Sequence, residues 1–101
     1  MMGNQKFKIK AEEILQHLEA EYQKEAQTNF TNDKTSYYEI NRDIEYLLFA
    51  FNPDLPLLKD FQIFRRDNTL TYGLIRKECF EQSKQFLLYF LEYLEEYCDI
   101  S

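Results

Sequence analysis

The chain has 101 residues, of which 45% are hydrophobic and 30% are charged. This balance is typical of a single small folded domain over residues 1–101 and argues against a disordered chain. Eighteen acidic and twelve basic side chains give a net charge of −6, which argues against general nucleic-acid affinity and permits a partner with a basic surface.

The first helix is predicted over residues 6–27. Apolar residues recur there at steps of three and four, as in an amphipathic helix that buries one face. The predicted core stripe is Phe7, Ala11, Ile14, Leu15, Leu18, Tyr22 and Ala26. A polar connector follows over residues 29–34.

The second helix is the clearest element. Ser36 with Glu39 three residues later is a capping-box pattern that marks its start. The helix is expected to end at the sequence NPDLP, because a residue before proline is disfavoured in helical geometry. Its apolar face is Tyr37, Ile40, Ile44, Leu47, Leu48 and Phe51.

Residues 61–75 allow two interpretations. A turn at Asp67-Asn68 would make a β-hairpin, because Asn tolerates the positive φ of hairpin turns. Strand alternation would then place on one side Phe61, Ile63, Leu70, Tyr72 and Leu74. The alternative is a third helix over residues 55–66 and a fourth helix that starts at Asn68. We favour the hairpin, because the sequence TLTYG is a poor helix former.

A long last helix is predicted over residues 76–98. Its stripe is Cys79 or Phe80, followed by Ser83, Phe86, Leu87, Phe90, Leu94 and Cys98. The expected fold is therefore mainly α, with three principal helices and a β-hairpin at about 61–75 before the last helix. The alternative is an all-α antiparallel four-helix bundle.

The sequence offers few groups for catalysis or metal binding. His17 is the only histidine. Cys79 and Cys98 would be separated by about 28 Å in one helix, so we expect reduced thiols in a cytoplasmic protein. The two glycines exclude a glycine-rich phosphate loop. We expect no enzymatic activity, no cofactor and no metal site. The longest apolar run is also too short to span a membrane.

Aromatic and apolar residues occupy helix faces that should be polar. On the second helix Tyr38, Tyr46 and Phe49 surround Arg42, opposite the core stripe. On the last helix Leu88 lies in the middle of a polar stripe, with Tyr89 at its edge. The stripe consists of Glu81, Gln85, Glu92, Glu95 and Asp99. The candidate residues here are Leu88, Tyr89, Glu92, Glu95, Glu96 and Asp99, since the acidic surface is densest at residues 92–99. These ten residues are the candidate partner-binding set, because tyrosine and phenylalanine are favoured in interfaces. The alternative is that both helices are sandwiched and the aromatic residues are core.

The predicted function is that of a small acidic interaction protein without catalysis. It would inhibit, neutralise or scaffold a protein partner with a basic surface, or form a homodimer. A small immunity or antagonist protein fits this description, although no motif of a known family is present. The alternative is a nucleic-acid-binding regulator with Arg65 and Arg66 at the hairpin tip, which resembles a winged-helix domain in architecture only. Few donors on the second helix argue against it.

Overall fold

The computed structural model describes residues 2–28, 35–70 and 77–97, and every regular element within them is an α-helix. The helices are α1 (Met2–Ala26), α2 (Thr35–Phe51), α3 (Pro56–Leu70) and α4 (Lys77–Tyr97). The expectation of a mainly α fold is confirmed. The architecture is the alternative that the sequence left open, a four-helix bundle.

The predicted β-hairpin is wrong. Residues 61–70 continue α3, no strand occurs in the described ranges, and residues 71–75 of the predicted hairpin lie outside them. Packing against α4 favours the helix over the hairpin. The Phe61 ring is fully buried, and its centroid lies 5.0 Å from that of Phe86 on α4. Phe64, one turn later, lies 5.4 Å from the same ring. Burial of a helical aromatic face outweighs the weak helix propensity of the residues that follow.

A short turn separates α2 from α3. The side-chain Oδ1 of Asn52 accepts a hydrogen bond from the Asp54 amide at 3.0 Å, and the Asn52 carbonyl accepts one from the Leu55 amide at 3.0 Å. Pro56 then occupies the first position of α3, where its fixed φ suits a helix and its missing amide costs nothing. The chain therefore reverses direction within four residues.

Aromatic contacts between the helices show how they run. Phe7 of α1 lies 5.3 Å from Phe51 at the end of α2, whereas Tyr22 of α1 lies 5.8 Å from Phe80 at the start of α4. Phe51 also lies 5.2 Å from Phe90 near the end of α4. Thus α1 is antiparallel to both α2 and α4, which run in the same direction.

The order of the helices around the bundle follows from which pairs touch. Both α1 and α3 contact α2 and α4, and no contact joins α1 to α3 in the described ranges. Consequently α2 and α4 face each other across the centre. Their inner faces supply most of the core, which consists of Ala11, Ile14, Leu18, Tyr37, Ile40, Ile44, Leu47, Leu48, Leu55, Leu58, Phe61, Phe80, Leu87, Phe90 and Leu94.

The predicted core stripes are largely confirmed. On α1 the residues Ala11, Ile14 and Leu18 are buried, whereas Ala26 at the end of the helix is exposed. The predicted apolar face of α2 is buried except for Phe51, which is half-buried between α1 and α4. Helical periodicity therefore identifies the inward faces correctly.

Three buried polar side chains connect α2 to α4, and we call them the polar trio: Tyr37, Asn41 and Ser83. The Tyr37 hydroxyl donates to the Cys79 carbonyl at 2.9 Å and lies 2.9 Å from the Ser83 Oγ. Ser83 in turn donates to the Asn41 Oδ1 at 2.8 Å. The buried Nδ2 of Asn41 has no hydrogen-bond partner among the described residues.

Substitutions at Phe61 and Ile63 distinguish a helix from a hairpin, because the two structures bury these side chains differently. Phe61 is fully buried and Ile63 is 50% exposed, although strand alternation would place both on the buried side. We expect Phe61→Ala to lower the free energy of unfolding by about 3–5 kcal/mol and Ile63→Ala to change it by less than about 0.5 kcal/mol. Urea denaturation measures both, and two large losses would contradict the helix.

The hydrogen bonds of the polar trio predict different changes in stability for two substitutions. Tyr37→Phe removes a hydroxyl that bonds to Cys79 and Ser83, so we expect a loss of about 1–2 kcal/mol. Asn41→Leu removes an unpartnered buried donor together with one hydrogen bond, so stability should stay within about 1 kcal/mol of wild type or rise. Thermal unfolding of the purified variants decides this. A loss for Asn41→Leu larger than that for Tyr37→Phe would mean that the amide stabilises the fold.

Candidate functional site

The aromatic residues predicted on the outer face of α2 have different environments. Tyr38 is half-buried and packs on the core, with its ring 6.1 Å from that of Tyr37. Tyr46 and Phe49 are 62% and 57% exposed, and Arg42, one turn before Tyr46, is also exposed. The outer face of α2 therefore presents two aromatic side chains to solvent, and Tyr38 belongs to the core.

A groove of about 580 Å³ lies between α1 and α2 beside this face. Its lining, which defines the groove below, is Lys6, Phe7, Ile9, Lys10 and Glu13 of α1 with Asp43, Tyr46, Leu47 and Ala50 of α2. Phe7 and Leu47 reach the core from its floor, whereas Ile9 is 49% exposed at its edge. The groove thus joins the exposed aromatic side chains of α2 to an exposed apolar side chain of α1.

The candidate residues of α4 also have different environments. Leu88 is half-buried, one turn beyond Lys84, whose Nζ lies 2.6 Å from the Glu19 Oε1 of α1. Leu88 therefore borders the seam between α4 and α1. Tyr89 is 55% exposed. The acidic cluster, by which we mean Glu92, Glu95 and Glu96, is exposed, and Asp99 lies outside the described residues.

The two candidate sets lie on opposite sides of the bundle. Tyr37 of α2 and Ser83 of α4 meet on the inner faces of their helices, and Tyr46 and Tyr89 are exposed on the outer faces. A single partner domain of ordinary interface size would contact one set or the other. The α2 set, which borders the groove, is the more apolar of the two and adjoins a concave surface.

The acidic cluster has basic neighbours within the chain. Phe51 contacts both Phe7 of α1 and Tyr93 of α4, at 5.3 and 6.0 Å between ring centroids. The start of α1, with lysines at 6, 8 and 10, therefore lies at the same end of the bundle as the acidic cluster. Opposite charges therefore share this end of the bundle.

The two arginines proposed for nucleic-acid binding lie near the end of α3. The Nη1 of Arg65 donates to the Glu45 Oε1 of α2 at 2.9 Å, with both side chains partly buried. The Nε of Arg66 lies 3.6 Å from the Asp67 Oδ1 at an exposed position. Since residues 61–70 are helical, the hairpin tip that suggested a winged-helix-like protein does not exist there.

The described ranges contain neither a metal-binding cluster nor a membrane-spanning helix. No three His, Cys, Asp or Glu side chains in the described ranges lie close enough together to hold a metal ion. No helix in the same ranges is long and apolar enough to cross a membrane. Comparison of the chain with protein-family models, with curated proteins and with solved structures finds no match.

Sequence reasoning missed one side of the groove. Ile9 lies off the core stripe of α1, between Lys8 and Lys10, and its position could have marked it as an exposed apolar residue. The pattern did not indicate that α2, and not α4, borders this side of α1. The groove requires that neighbour, because Tyr46 and Ala50 supply its second wall.

The different environments of the α2 aromatic residues predict different costs of removal. We expect Tyr38→Ala to lower the free energy of unfolding by about 1–3 kcal/mol, because this ring packs on the core. Tyr46→Ala should change it by less than about 0.5 kcal/mol, because the ring is largely exposed. Chemical denaturation monitored by circular dichroism measures both. Equal costs would place Tyr46 in the core.

Proposed function

We propose that this protein is a non-catalytic interaction protein that binds another protein through the groove and the adjoining exposed residues of α2. The observation that carries the proposal is the clustering of Ile9 and Tyr46 at the groove, each about half exposed or more. Phe49, 57% exposed, lies one turn after Tyr46. Exposed apolar patches next to a concave surface are typical of contact sites.

The chemistry of the groove favours recognition over reaction. Its floor is apolar, its walls carry an isoleucine and a tyrosine, and its charged groups lie around the rim. Tyrosine is a common anchor in interfaces, because it supplies a large contact area at little cost in conformational entropy. An apolar centre with a charged rim matches the usual composition of a protein contact.

The acidic cluster with Tyr89 is the competing surface for a partner. Its exposure supports binding to a basic protein, in the manner of an inhibitor or an immunity protein. The groove is concave and the more apolar of the two surfaces. We therefore assign it as the main contact surface, and one experiment compares the two.

Photocrosslinking in the native cell tests the proposal. Replacement of Tyr46 by p-benzoylphenylalanine keeps an aromatic side chain at the rim of the groove, and the same replacement of Tyr89 probes α4. Gln23, exposed near the other end of α1, serves as the matched control position. We expect protein adducts at position 46, few at position 89 and none at position 23, identified by mass spectrometry.

The pattern of adducts decides between the surfaces. Adducts at position 89 without any at position 46 would move the contact to the acidic cluster. The absence of protein adducts at both positions would contradict an interaction function for either surface. Each labelled variant should first show wild-type circular dichroism, so that unfolding is excluded as the cause.

A further inference from the structure

The charges around the groove have a definite arrangement along its length. Because α1 and α2 are antiparallel, with Phe7 against Phe51, the Ala50 end of the groove lies beside Lys6. The other end carries Glu13 of α1 and Asp43 of α2. Lys6 therefore makes one end of the groove basic, and Glu13 with Asp43 makes the other end acidic. Lys10 lies between them, with its Nζ 3.9 Å from the Glu13 Oε2.

This arrangement limits the kinds of partner that match the groove. A uniformly basic surface would place positive charge against Lys6, and a uniformly acidic one would place negative charge against Glu13 and Asp43. Like charges opposed across an interface are costly. A matching partner needs an apolar centre with a basic end and an acidic end of its own.

We propose that this partner is a second copy of the chain, which binds groove to groove as a symmetric dimer. The inference rests on the proposed function and names the occupant of the same surface. The chain carries both required ends, and its groove rim holds two lysines, one glutamate and one aspartate. The net charge of −6 would otherwise oppose self-association, but the groove rim itself is neutral.

Symmetry fixes the relative orientation of the copies. The two-fold axis lies in the interface and perpendicular to α1, so that α1 of one copy runs antiparallel to α1 of the other. Lys6 and Glu13 are seven residues apart on one side of α1, about 10 Å along the helix. An axis that crosses α1 midway between them places Lys6 of each copy opposite Glu13 of its partner, and this contact occurs twice. Lys10 then lies next to the axis and stays paired with the Glu13 of its own chain. An axis parallel to α1 would instead place the basic ends together.

The available area is sufficient for such a dimer. A standard interface buries about 800 Å² per partner, roughly an eighth of the 6630 Å² surface of the chain. The side of the bundle formed by α1 and α2 is one of its four sides. Ile9 and Tyr46 line the groove and are about half exposed or more, so a groove-to-groove contact would cover both.

A charge-swap experiment tests this orientation. Lys6→Glu places glutamate opposite Glu13 twice, and Glu13→Lys places lysine opposite Lys6 twice. Each variant alone should self-associate at least roughly tenfold more weakly than wild type. An equimolar mixture of the two should regain association as a heterodimer, because both contacts then join opposite charges.

Sedimentation velocity measures association, and one of the two variants carries an isotopic mass label so that native mass spectrometry can identify the heterodimer. Lys24→Glu, at an exposed position outside the groove, is the matched charge control and should associate like wild type. Failure of the mixture to form a heterodimer would overturn the proposed orientation. Equal weakening by Lys24→Glu would reduce the effect to net charge and would also overturn it.

An apolar pair gives an independent test of the same surface. Ile9→Ser should weaken self-association at least roughly tenfold, whereas Ile63→Ser on α3 should leave it unchanged. The two isoleucines are 49% and 50% exposed, so neither substitution should unfold the monomer. Equal effects of the two substitutions, or none from Ile9→Ser, would contradict the groove interface.

The association state of the wild-type protein and the crosslinks at position 46 together test the dimer separately from the proposed function. A wild-type protein that stays monomeric up to roughly millimolar concentration, while position 46 crosslinks to a different protein, would overturn the dimer and leave the interaction function intact. Adducts of twice the chain mass at position 46 support both. The absence of adducts together with a monomeric protein would overturn both.

Discussion

The polar trio is the constraint on which the arrangement of the helices depends. Apolar contacts alone would let α2 and α4 slide or rotate against each other, whereas the bonds of Tyr37 to Cys79 and of Ser83 to Asn41 have defined partners. The Nδ2 of Asn41 has no partner among the described residues, and a buried donor without a partner costs about 1–3 kcal/mol. The trio is therefore better understood as specifying the register of α2 and α4 than as maximising stability. The rotation of α2 that it fixes places Leu47 at the floor of the groove and Tyr46 at its rim.

Opposite charges of two helices gather at one end of the bundle. The first turn of α1 has no acidic residue, and Lys6 follows it near the positive end of the helix dipole. The last turn of α4 has no basic residue, and the acidic cluster lies near the negative end. Because α1 and α4 are antiparallel, both of these helix ends lie at the same end of the bundle, and each carries the charge sign that its own dipole disfavours.

The sequence was sufficient to predict three of the four helices, because the apolar stripes of α1, α2 and α4 are regular and their residues suit helices. It was insufficient for α3. The alternation of Phe61, Ile63 and Leu70 fits a strand as well as the spacing of Phe61 and Phe64 fits a helix. What decides between them is a tertiary contact, the Phe86 ring of α4 against Phe61 and Phe64. The partner of Arg65 was equally hidden, since Glu45 lies twenty residues earlier on another helix.

The candidate site was predictable on α2 and not between helices, for a related reason. Periodicity identifies the inward face of a helix, which was enough to expect Tyr46 and Phe49 on the outside. It does not identify the neighbour of each flank, and that neighbour determines whether an outward apolar residue lies at a surface or at a seam. Leu88 borders the α1 seam, whereas Ile9 stays half exposed at the groove. The antiparallel pairing of α1 with α2 then brings Glu13 and Asp43 to one end of the groove and leaves Lys6 at the other. Lys6 and Glu13 give α1 a charge polarity of its own, and the pairing with α2 adds Asp43 at the acidic end. The two lysines and two carboxylates of the rim then make the groove locally neutral on a chain with net charge −6.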